Sequence, residues 1–168
     1  MFPTGRRWAQ ELGYPEPELG RVPDDTAASF AGVANHWQHG PVTPCETVLN
    51  LGCGAGTDLL IAAQMAGPTG RSIGADMTPA MLARAHVSAD AMGLPTSHET
   101  LIESLPLEDE SVDVVISNGV IDLIPDKDAV FAEIDRVLRP GGQLQLADVF
   151  ICHEVPEDAR KRIDLWTG

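Results

Sequence analysis

The chain has 168 residues, a length typical of one domain with a sizeable hydrophobic core. Its 25 acidic residues against 11 lysines and arginines give a formal net charge of -14, which argues against nucleic acid or an anionic membrane surface as a partner. No apolar run has the length of a signal peptide or a membrane span, and three cysteines without a CxxC pair favour a reduced, cytoplasmic chain with no metal site.

Residues 1–45 are rich in proline and have no regular pattern. Within them we expect short helices near Arg6–Leu12 and Asp24–His36. The end of the second helix, NHWQHG, fits either a lid over a substrate or a helix end packed on the domain. We expect this segment to form an N-terminal helical cap over the mouth of a site that belongs to residues 46–168.

The pattern becomes regular at Thr47–Leu51, a short apolar run that predicts a buried strand. Gly52, Gly54 and Gly56 follow it at once, and they allow positive φ angles and a close approach of a ligand to the main chain. A helix is expected near residues 57–66. Strand, glycine turn and helix together indicate the entrance to a nucleotide-binding α/β unit.

A second strand, RSIGA, ends at Asp76, and a helix runs from Pro79 to Gly93 with Thr78 as its N-cap. A carboxylate at the end of this strand can accept hydrogen bonds from both hydroxyls of a ribose. The alternative is that Asp76 only caps the helix at Thr78.

The second half of the chain continues the alternation of strands and helices. A weaker strand is expected around Ser97–Ile102, and the nearly continuous apolar run Ser111–Ser117 is typical of a parallel strand buried on both faces. A helix over Lys127–Leu138 ends at RPGG, and a fifth strand spans residues 143–150. This order predicts an α/β fold with a Rossmann-like, doubly wound parallel sheet.

Four features fall at the predicted carboxyl ends of the strands, where such sheets bind ligands. They are Gly52–Gly56, Asp76, Ile102–Glu103 and Asn118–Gly119. The glycine turn reads GCGAG, whereas a dinucleotide fold favours G-x-G-x-x-G with its third glycine later. A nicotinamide-dependent oxidoreductase is therefore a weaker alternative.

The ordered set of motifs carries a resemblance to a known family. The phrases LNLGCGAGTDLL, IGADMTPAML, IESLP, DVVISNGVIDLIPDKDAVFAEIDRVLRPGG and QLQLADV occur in register over about residues 47–150. Together they resemble class I S-adenosylmethionine-dependent methyltransferases, and within that superfamily the arsenite methyltransferases. LGYPEPEL and VPDD are similar to the N-terminal region of the same family.

The resemblance implies S-adenosylmethionine as the cofactor and assigns its methionine end to the glycine turn. Backbone amides and carbonyls of Leu51 to Gly56 would face its amino and carboxylate groups, with Cys53 as a small residue and not a reactive thiol. Asn118 and Gly119 would line the floor under the sulfonium. The residues implied at this end are Asn50, Leu51, Gly52, Cys53, Gly54, Ala55, Gly56, Asp58, Asn118 and Gly119.

At the adenosine end, the resemblance implies that Asp76 holds the ribose and Met77 packs near the adenine. Ile102 would offer its backbone N–H to an adenine ring nitrogen, with Glu103 beside it. Leu101 replaces an acid common in the wider superfamily, so Glu103 or the main chain would hold the adenine amino group.

Other departures from the family concern charge and thiols. Asn50 stands where these enzymes usually have aspartate, so we expect weaker cofactor binding. Arsenite methyltransferases hold As(III) through several thiolates, because a soft centre selects sulfur ligands. Here SFAGVANHW has no cysteine where one is expected, and the sequence ends at DLWTG, before the place of another. We therefore expect no arsenic site. A metalloid, a quinone-like ring and a small natural-product nucleophile all stay open as acceptors.

The family also continues past the fifth strand with a helix and an antiparallel pair of strands, whereas this sequence ends at Gly168. We expect either a truncated chain or a homodimer that pairs the exposed edge.

The preferred hypothesis is a methyltransferase that moves a methyl group from S-adenosylmethionine to a small-molecule acceptor. No triad, metal cluster or Asn/Asp-Pro-Pro-Tyr phrase is present in the sequence, so no catalytic residue is assigned. The alternative is a cofactor-binding fragment or pseudoenzyme without catalysis.

Overall fold

The computed structural model describes residues 3–94, 97–99, 101–150 and 152, with the backbone alone for 97–99. Five parallel strands form one sheet in the order β3-β2-β1-β4-β5. The strands are β1 (Thr47–Leu51), β2 (Arg71–Asp76), β3 (Ser97–Glu99), β4 (Val112–Asn118) and β5 (Leu138–Ala147). The predicted α/β architecture is confirmed.

The strand order reverses beside β1. The chain passes from β1 through β2 to β3 on one side, then crosses back to place β4 and β5 on the other. At the carboxyl end of β1, Leu51 pairs with Ala75 on one neighbour and Ser117 on the other. A crevice outside this reversal point is where open α/β sheets bind ligands.

Six α-helices accompany the sheet in the described part of the chain. They are α1 (Arg6–Glu11), α2 (Glu16–Leu19), α3 (Asp24–Ala27), α4 (Thr57–Ala66), α5 (Pro79–Met92) and α6 (Lys127–Val137). Proline opens α5 as predicted, and the helix ends at Gly93 in the left-handed conformation. Asp126 caps α6 by accepting a hydrogen bond of 3.0 Å from the amide of Ala129. None of these helices is long and apolar enough to cross a membrane.

The sheet is buried on both faces, because successive strand residues point to opposite sides. On one face, Val48, Val114 and Ile116 pack with α4 and with apolar residues of the N-terminal segment. On the other face, the core contains β1 and β2 residues together with Val130 and Ile134 of α6. The apolar runs of β1 and β4 thus serve two cores at once, which explains why their pattern is continuous.

The predicted helix Asp24–His36 is wrong in its extent. Helix α3 ends at Ala27, and a separate 3₁₀ turn covers His36–His39. Between them the chain is held by distant groups: Trp8 Nε1 donates to the carbonyl of Gly32, 2.8 Å away. These tertiary hydrogen bonds override the local helical signal.

Strands β3 and β5 also differ from the prediction in their boundaries, and β5 ends at Ala147, before the predicted residue 150. Strand β5 begins at Leu138, so the RPGG turn expected before it lies within the strand, next to a register shift opposite Val112 and Val114. Strand β3 ends at Glu99, before the predicted Ile102. Boundaries depend on pairing with a neighbour, which local composition does not encode.

The N-terminal segment shares a core with the sheet. Tyr14, Phe30 and Trp37 are buried in the same cluster as Val48 and Val114. The division into a cap of residues 1–45 and a main domain stays a prediction. Predictions that rest on residues 153–168, the DLWTG phrase among them, lie outside the described residues.

Candidate cofactor-binding site

The glycine turn after β1 needs glycine for two separate reasons. Gly52 and Gly54 both have positive φ angles, 63° and 52°. A Cβ on Gly52 would lie 2.3 Å from Cγ2 of Val120, so only a hydrogen fits there. A Cβ on Gly54 would meet no atom within 4 Å, so the space beside Gly54 is open. The turn therefore combines close packing with an exposed main chain.

Two cavities flank this turn and share Gly52 and Val120 as lining residues. The first has a volume of about 180 Å³ and the second about 270 Å³. The sequence-predicted residues that line the first are Asn50, Gly52, Cys53, Gly54, Ala55, Asp58, Asn118 and Gly119. Those that line the second are Gly52, Asp76, Met77, Ile102 and Glu103. The cavities thus separate the residues assigned to the methionine end from those assigned to adenosine.

Two predicted residues line neither cavity. Leu51 is fully buried in the core shared with α6. Gly56 begins α4 and faces α5, where a Cβ would lie 3.2 Å from that of Ala85. Gly56 thus allows close packing of two helices, and Leu51 fills the core.

The structure adds lining residues that were not among the predicted site residues. In the first cavity they are Ser29, Phe30, Ala31, Gly32, Thr57 and Val120. The expectation that the N-terminal segment covers the site was the available signal, but it pointed to no particular side chain. In the second cavity the additions are Thr78, Leu101, Val120, Leu123 and Ile124.

Unpaired acceptors characterise the first cavity. Asn50 and Asp58 line it, are 2% and 8% exposed, and each has a buried Oδ1 atom without a hydrogen-bond partner. Buried polar atoms are normally paired, so these two acceptors on residues of the cavity wall suit a ligand that donates hydrogen bonds. A carboxylate oxygen accepts only, which fits an ammonium group.

Asp76 joins the glycine turn to the start of α5. Its Oδ2 accepts a hydrogen bond from the amide of Gly54, and its Oδ1 accepts one from the amide of Thr78, both 2.8 Å long. An ionised carboxylate has about four acceptor positions, so two stay available for a ligand in the second cavity. The capping role and the ligand-binding role are therefore compatible.

The second cavity has an apolar mouth. Met77, Leu101 and Leu123 line it, and each side chain is more than half exposed. Ile102 beneath them is buried. Exposed apolar side chains around one cavity suit a flat aromatic ligand that covers them.

Asn118 ties the N-terminal segment to the end of β4. Its Nδ2 donates to Tyr14 Oη at 2.7 Å and to the carbonyl of Ala34 at 2.9 Å, and its Oδ1 accepts from the amide of Val33 at 2.8 Å. The Asn118 side chain therefore holds the N-terminal segment against the sheet. It also lines the first cavity.

Tyr14 links Asn118 to Asp58 of α4. Its hydroxyl donates to Asp58 Oδ2 over 3.3 Å. Burial, followed by the charge and hydrogen bond of Asp58, raises the pKa of Tyr14 far above its ordinary value. The phenol therefore stays a neutral donor to Asp58 at any physiological pH.

Cys53 has a protonated thiol. Burial, with a smaller effect from the negative charge of Asp76, raises the pKa of Cys53 to about 12. The thiolate is the nucleophile and the metal ligand, so this cysteine is inert at neutral pH. Within the described ranges, no group of three or more His, Cys, Asp or Glu side chains could hold a metal ion.

Comparison with known proteins agrees with this geometry. The sequence model of a family described as a methyltransferase domain matches residues 43–167. An arsenite methyltransferase from Halobacterium salinarum is 40% identical over 162 residues, covering 95% of this chain and 41% of the relative. The human arsenite methyltransferase is 36% identical over 130 residues, which cover 71% of this chain and 35% of the relative. The chain thus spans less than half the length of these curated relatives.

Solved structures of methyltransferases are also similar to this chain. An arsenic(III) S-adenosylmethionine methyltransferase from Chlamydomonas reinhardtii superposes with a TM-score of 0.78 at 34% identity, covering 98% of this chain and 56% of that one. A methyltransferase from Aquifex aeolicus, 20% identical with a TM-score of 0.57, shares the fold. The resemblance found in the sequence is confirmed, and the chain belongs to the methyltransferase domain family.

Proposed function

We propose that the chain binds S-adenosylmethionine across the two cavities and transfers its methyl group to a small-molecule acceptor. The observation that carries the proposal is the pair of unpaired oxygens, Asn50 Oδ1 and Asp58 Oδ1, which belong to two residues that line the first cavity. Two unpaired acceptors next to an exposed glycine backbone match the ammonium end of an amino acid.

The second cavity supports the adenosine half of the same ligand. Asp76 is already oriented by two backbone amides, and its remaining lone pairs suit two vicinal ribose hydroxyls. Met77 and Leu123 offer apolar surface to an adenine ring. Because the cavities share Gly52 and Val120, one ligand can extend through both.

When bound, S-adenosylmethionine supplies a methyl carbon already activated by the sulfonium charge. The residues of the chain have the tasks of binding, orienting and excluding water. Phe30 is 5% exposed in the wall of the first cavity, within the N-terminal segment that Asn118 anchors. This arrangement keeps the methionine end away from bulk water.

We propose that the acceptor does not depend on thiolate capture by the described residues. The relatives above are named for arsenite and arsenic(III), and a soft centre of that kind selects thiolates. Cys53, the cysteine at the first cavity, is protonated at neutral pH, and Cys45 and Cys152 line neither of the two cavities. The acceptors to compare are arsenite, a quinone-like ring and a small natural-product nucleophile.

Calorimetric titration with S-adenosylhomocysteine tests the cofactor assignment. We expect the Asp76→Asn variant to lose affinity about tenfold or more, because a neutral amide accepts fewer hydrogen bonds from the ribose. Asp90→Asn is the matched control: Asp90 is an exposed carboxylate on α5 that lines neither cavity, and its substitution should leave affinity unchanged. NAD serves as the control ligand.

Absence of S-adenosylhomocysteine binding by the folded wild-type chain, or tighter binding of NAD, would overturn the assignment. Binding by the wild type would then justify an assay of methyl transfer from labelled S-adenosylmethionine to each acceptor. Binding without transfer to any acceptor would instead favour a cofactor-binding domain without catalysis.

A further inference from the structure

His36 is a buried ionisable residue that the proposed function does not use. It opens the 3₁₀ turn His36–His39 and is 1% exposed. Its ring lies against Trp37, with centroids 4.2 Å apart, and at the edge of Tyr14, 6.2 Å away. Neither ring nitrogen has a hydrogen bond of good geometry. A buried imidazole without partners is costly, so its position calls for a compensating role.

The carboxylate of Asp58 in α4 lies beside this imidazole. His36 Nε2 lies 3.4 Å from Asp58 Oδ2, the same oxygen that accepts the hydrogen bond from Tyr14. Both groups that could donate a hydrogen bond to Asp58, the Tyr14 hydroxyl and His36 Nε2, therefore face Oδ2. The other oxygen, Oδ1, has no partner, and Asp58 lines the first cavity.

We propose that His36 is a positioning residue for cofactor binding: its Nε2 atom, 3.4 Å from Oδ2 of Asp58, restricts rotation of that carboxylate and leaves Oδ1 to receive the cofactor's ammonium. The inference rests on the proposed function and deepens it. A carboxylate that could rotate would present either oxygen, whereas the hydrogen bond from Tyr14 and the imidazole beside Oδ2 restrict its plane. Preorganisation of this kind raises affinity because little rotational freedom is lost on binding.

This role predicts an effect confined to the amino-acid half of the ligand. Methylthioadenosine lacks that half and should not depend on His36, while S-adenosylhomocysteine should. This difference between the two ligands separates positioning from a general loss of structure, which would weaken the binding of both.

Calorimetric titration of His36→Phe with both ligands is the test. We expect about tenfold weaker binding of S-adenosylhomocysteine and unchanged binding of methylthioadenosine. His36→Gln, whose side-chain amide nitrogen can replace Nε2–H, should recover most of the affinity. His39→Phe is the matched control, since His39 is exposed on the same 3₁₀ turn.

A second comparison links the effect to Asp58. In an Asp58→Asn background, His36→Phe should cause little further loss of S-adenosylhomocysteine affinity, because the group that it positions has gone. Circular dichroism and thermal unfolding verify that each variant is folded.

The outcomes separate the inference from the proposed function. If the folded wild type binds S-adenosylhomocysteine but His36→Phe binds it equally well, or weakens both ligands alike, the inference is overturned and the proposed function stands. If additive losses appear in the Asp58→Asn background, His36 does not act through Asp58. If the folded wild type binds neither ligand, both proposals fall.

Discussion

Polar residues around the glycine turn differ in how fully their hydrogen-bonding atoms are used. Asp76 and Asn118 have partners on every side-chain polar atom. Asn50 and Asp58 each keep one oxygen without a partner. The first pair joins separate segments of the site by hydrogen bonds, and the second pair has one unpaired acceptor on each residue. Such a distinction depends on three-dimensional contacts, and the resemblance could only group all four together.

Cys53 provides a prediction at the scale of one residue. In the folded protein at pH 8, iodoacetamide should alkylate Cys45 and Cys152, which are exposed, and leave Cys53 unmodified. Burial and a pKa of about 12 keep the Cys53 thiol protonated, and only the thiolate reacts. Mass spectrometry of the digested protein measures each site.

The control is the same reaction in urea. There all three cysteines should react at similar rates, since the unfolded chain restores an ordinary pKa of about 8.5. Rapid modification of Cys53 without denaturant would contradict the assignment of an inert thiol.

At the scale of elements, α6 holds the loop that carries part of the second cavity. Arg136 donates to the carbonyls of Leu107 and Leu105, and Glu133 accepts from the amide of Leu105, at 2.8 Å. The guanidinium of Arg136 also pairs with Glu133 itself, at 2.7 Å. One helix therefore fixes the path of the chain between Ile102 and β4.

This arrangement predicts a pH dependence of stability. Hydrogen bonds from Arg136 lower the pKa of Glu133 to about 2. Because the folded pKa lies below the unfolded value of about 4.3, the stabilisation is complete above that value and is lost as pH falls from about 4.3 through 2. Glu133→Gln should lower the free energy of unfolding by about 1 kcal/mol at pH 7, since solvent partly screens the pair.

Urea unfolding of the wild type and of Glu133→Gln between pH 2 and 7 measures the difference in their free energies of unfolding. This difference should shrink toward zero at the acidic end. Asp135→Asn, an exposed carboxylate on the same helix, should produce little change at any pH. A difference that is constant down to pH 2 would contradict the assigned charge interaction.

Elements differ in how much of them the sequence could predict. Strands β1 and β4 and helices α4, α5 and α6 carry their own signals of apolar runs and capping residues, and they occur within one or two residues of the predicted places. The stretch between α3 and His36 carries no such signal, because hydrogen bonds to distant residues determine its conformation. Gly32 accepts one from Trp8, and Val33 donates one to Asn118, 85 positions away. No local pattern encodes such contacts.

The residues of the candidate site likewise fall into those that the sequence predicted and those that it did not. The glycine turn, Asp76 and the residues after β4 were predicted because strand ends meet at one edge of a parallel sheet. Phe30 and Gly32 were not, since a cap segment folds over the site by packing. The distinct roles of Asn118 and Asp58 required the observed hydrogen bonds.

At the scale of the whole molecule, the N-terminal segment and the sheet depend on one core. Trp37 and Phe30 are buried with Val48 and Val114, and Tyr14 bridges Asn118 and Asp58. Removal of the segment would expose to water the apolar residues of the sheet and of α4 that it covers. We therefore expect the segment to be required for folding.

A chain of residues 46–168 tests this expectation. It should lack a cooperative thermal transition and bind a hydrophobic dye, because apolar residues of the sheet and of α4 have lost the segment that covered them. The full chain under the same conditions is the control. A cooperative transition and S-adenosylhomocysteine binding by the shortened chain would contradict the requirement.

The shared wall between the two cavities has a consequence for ligand design. Val120 packs directly on Gly52, and these residues lie between two compartments, the first proposed for the amino acid and the second for the nucleoside. Small fragments can therefore occupy the compartments independently and at the same time. Joining two such fragments by a linker that passes this wall makes the second binding event intramolecular, which increases affinity through effective concentration.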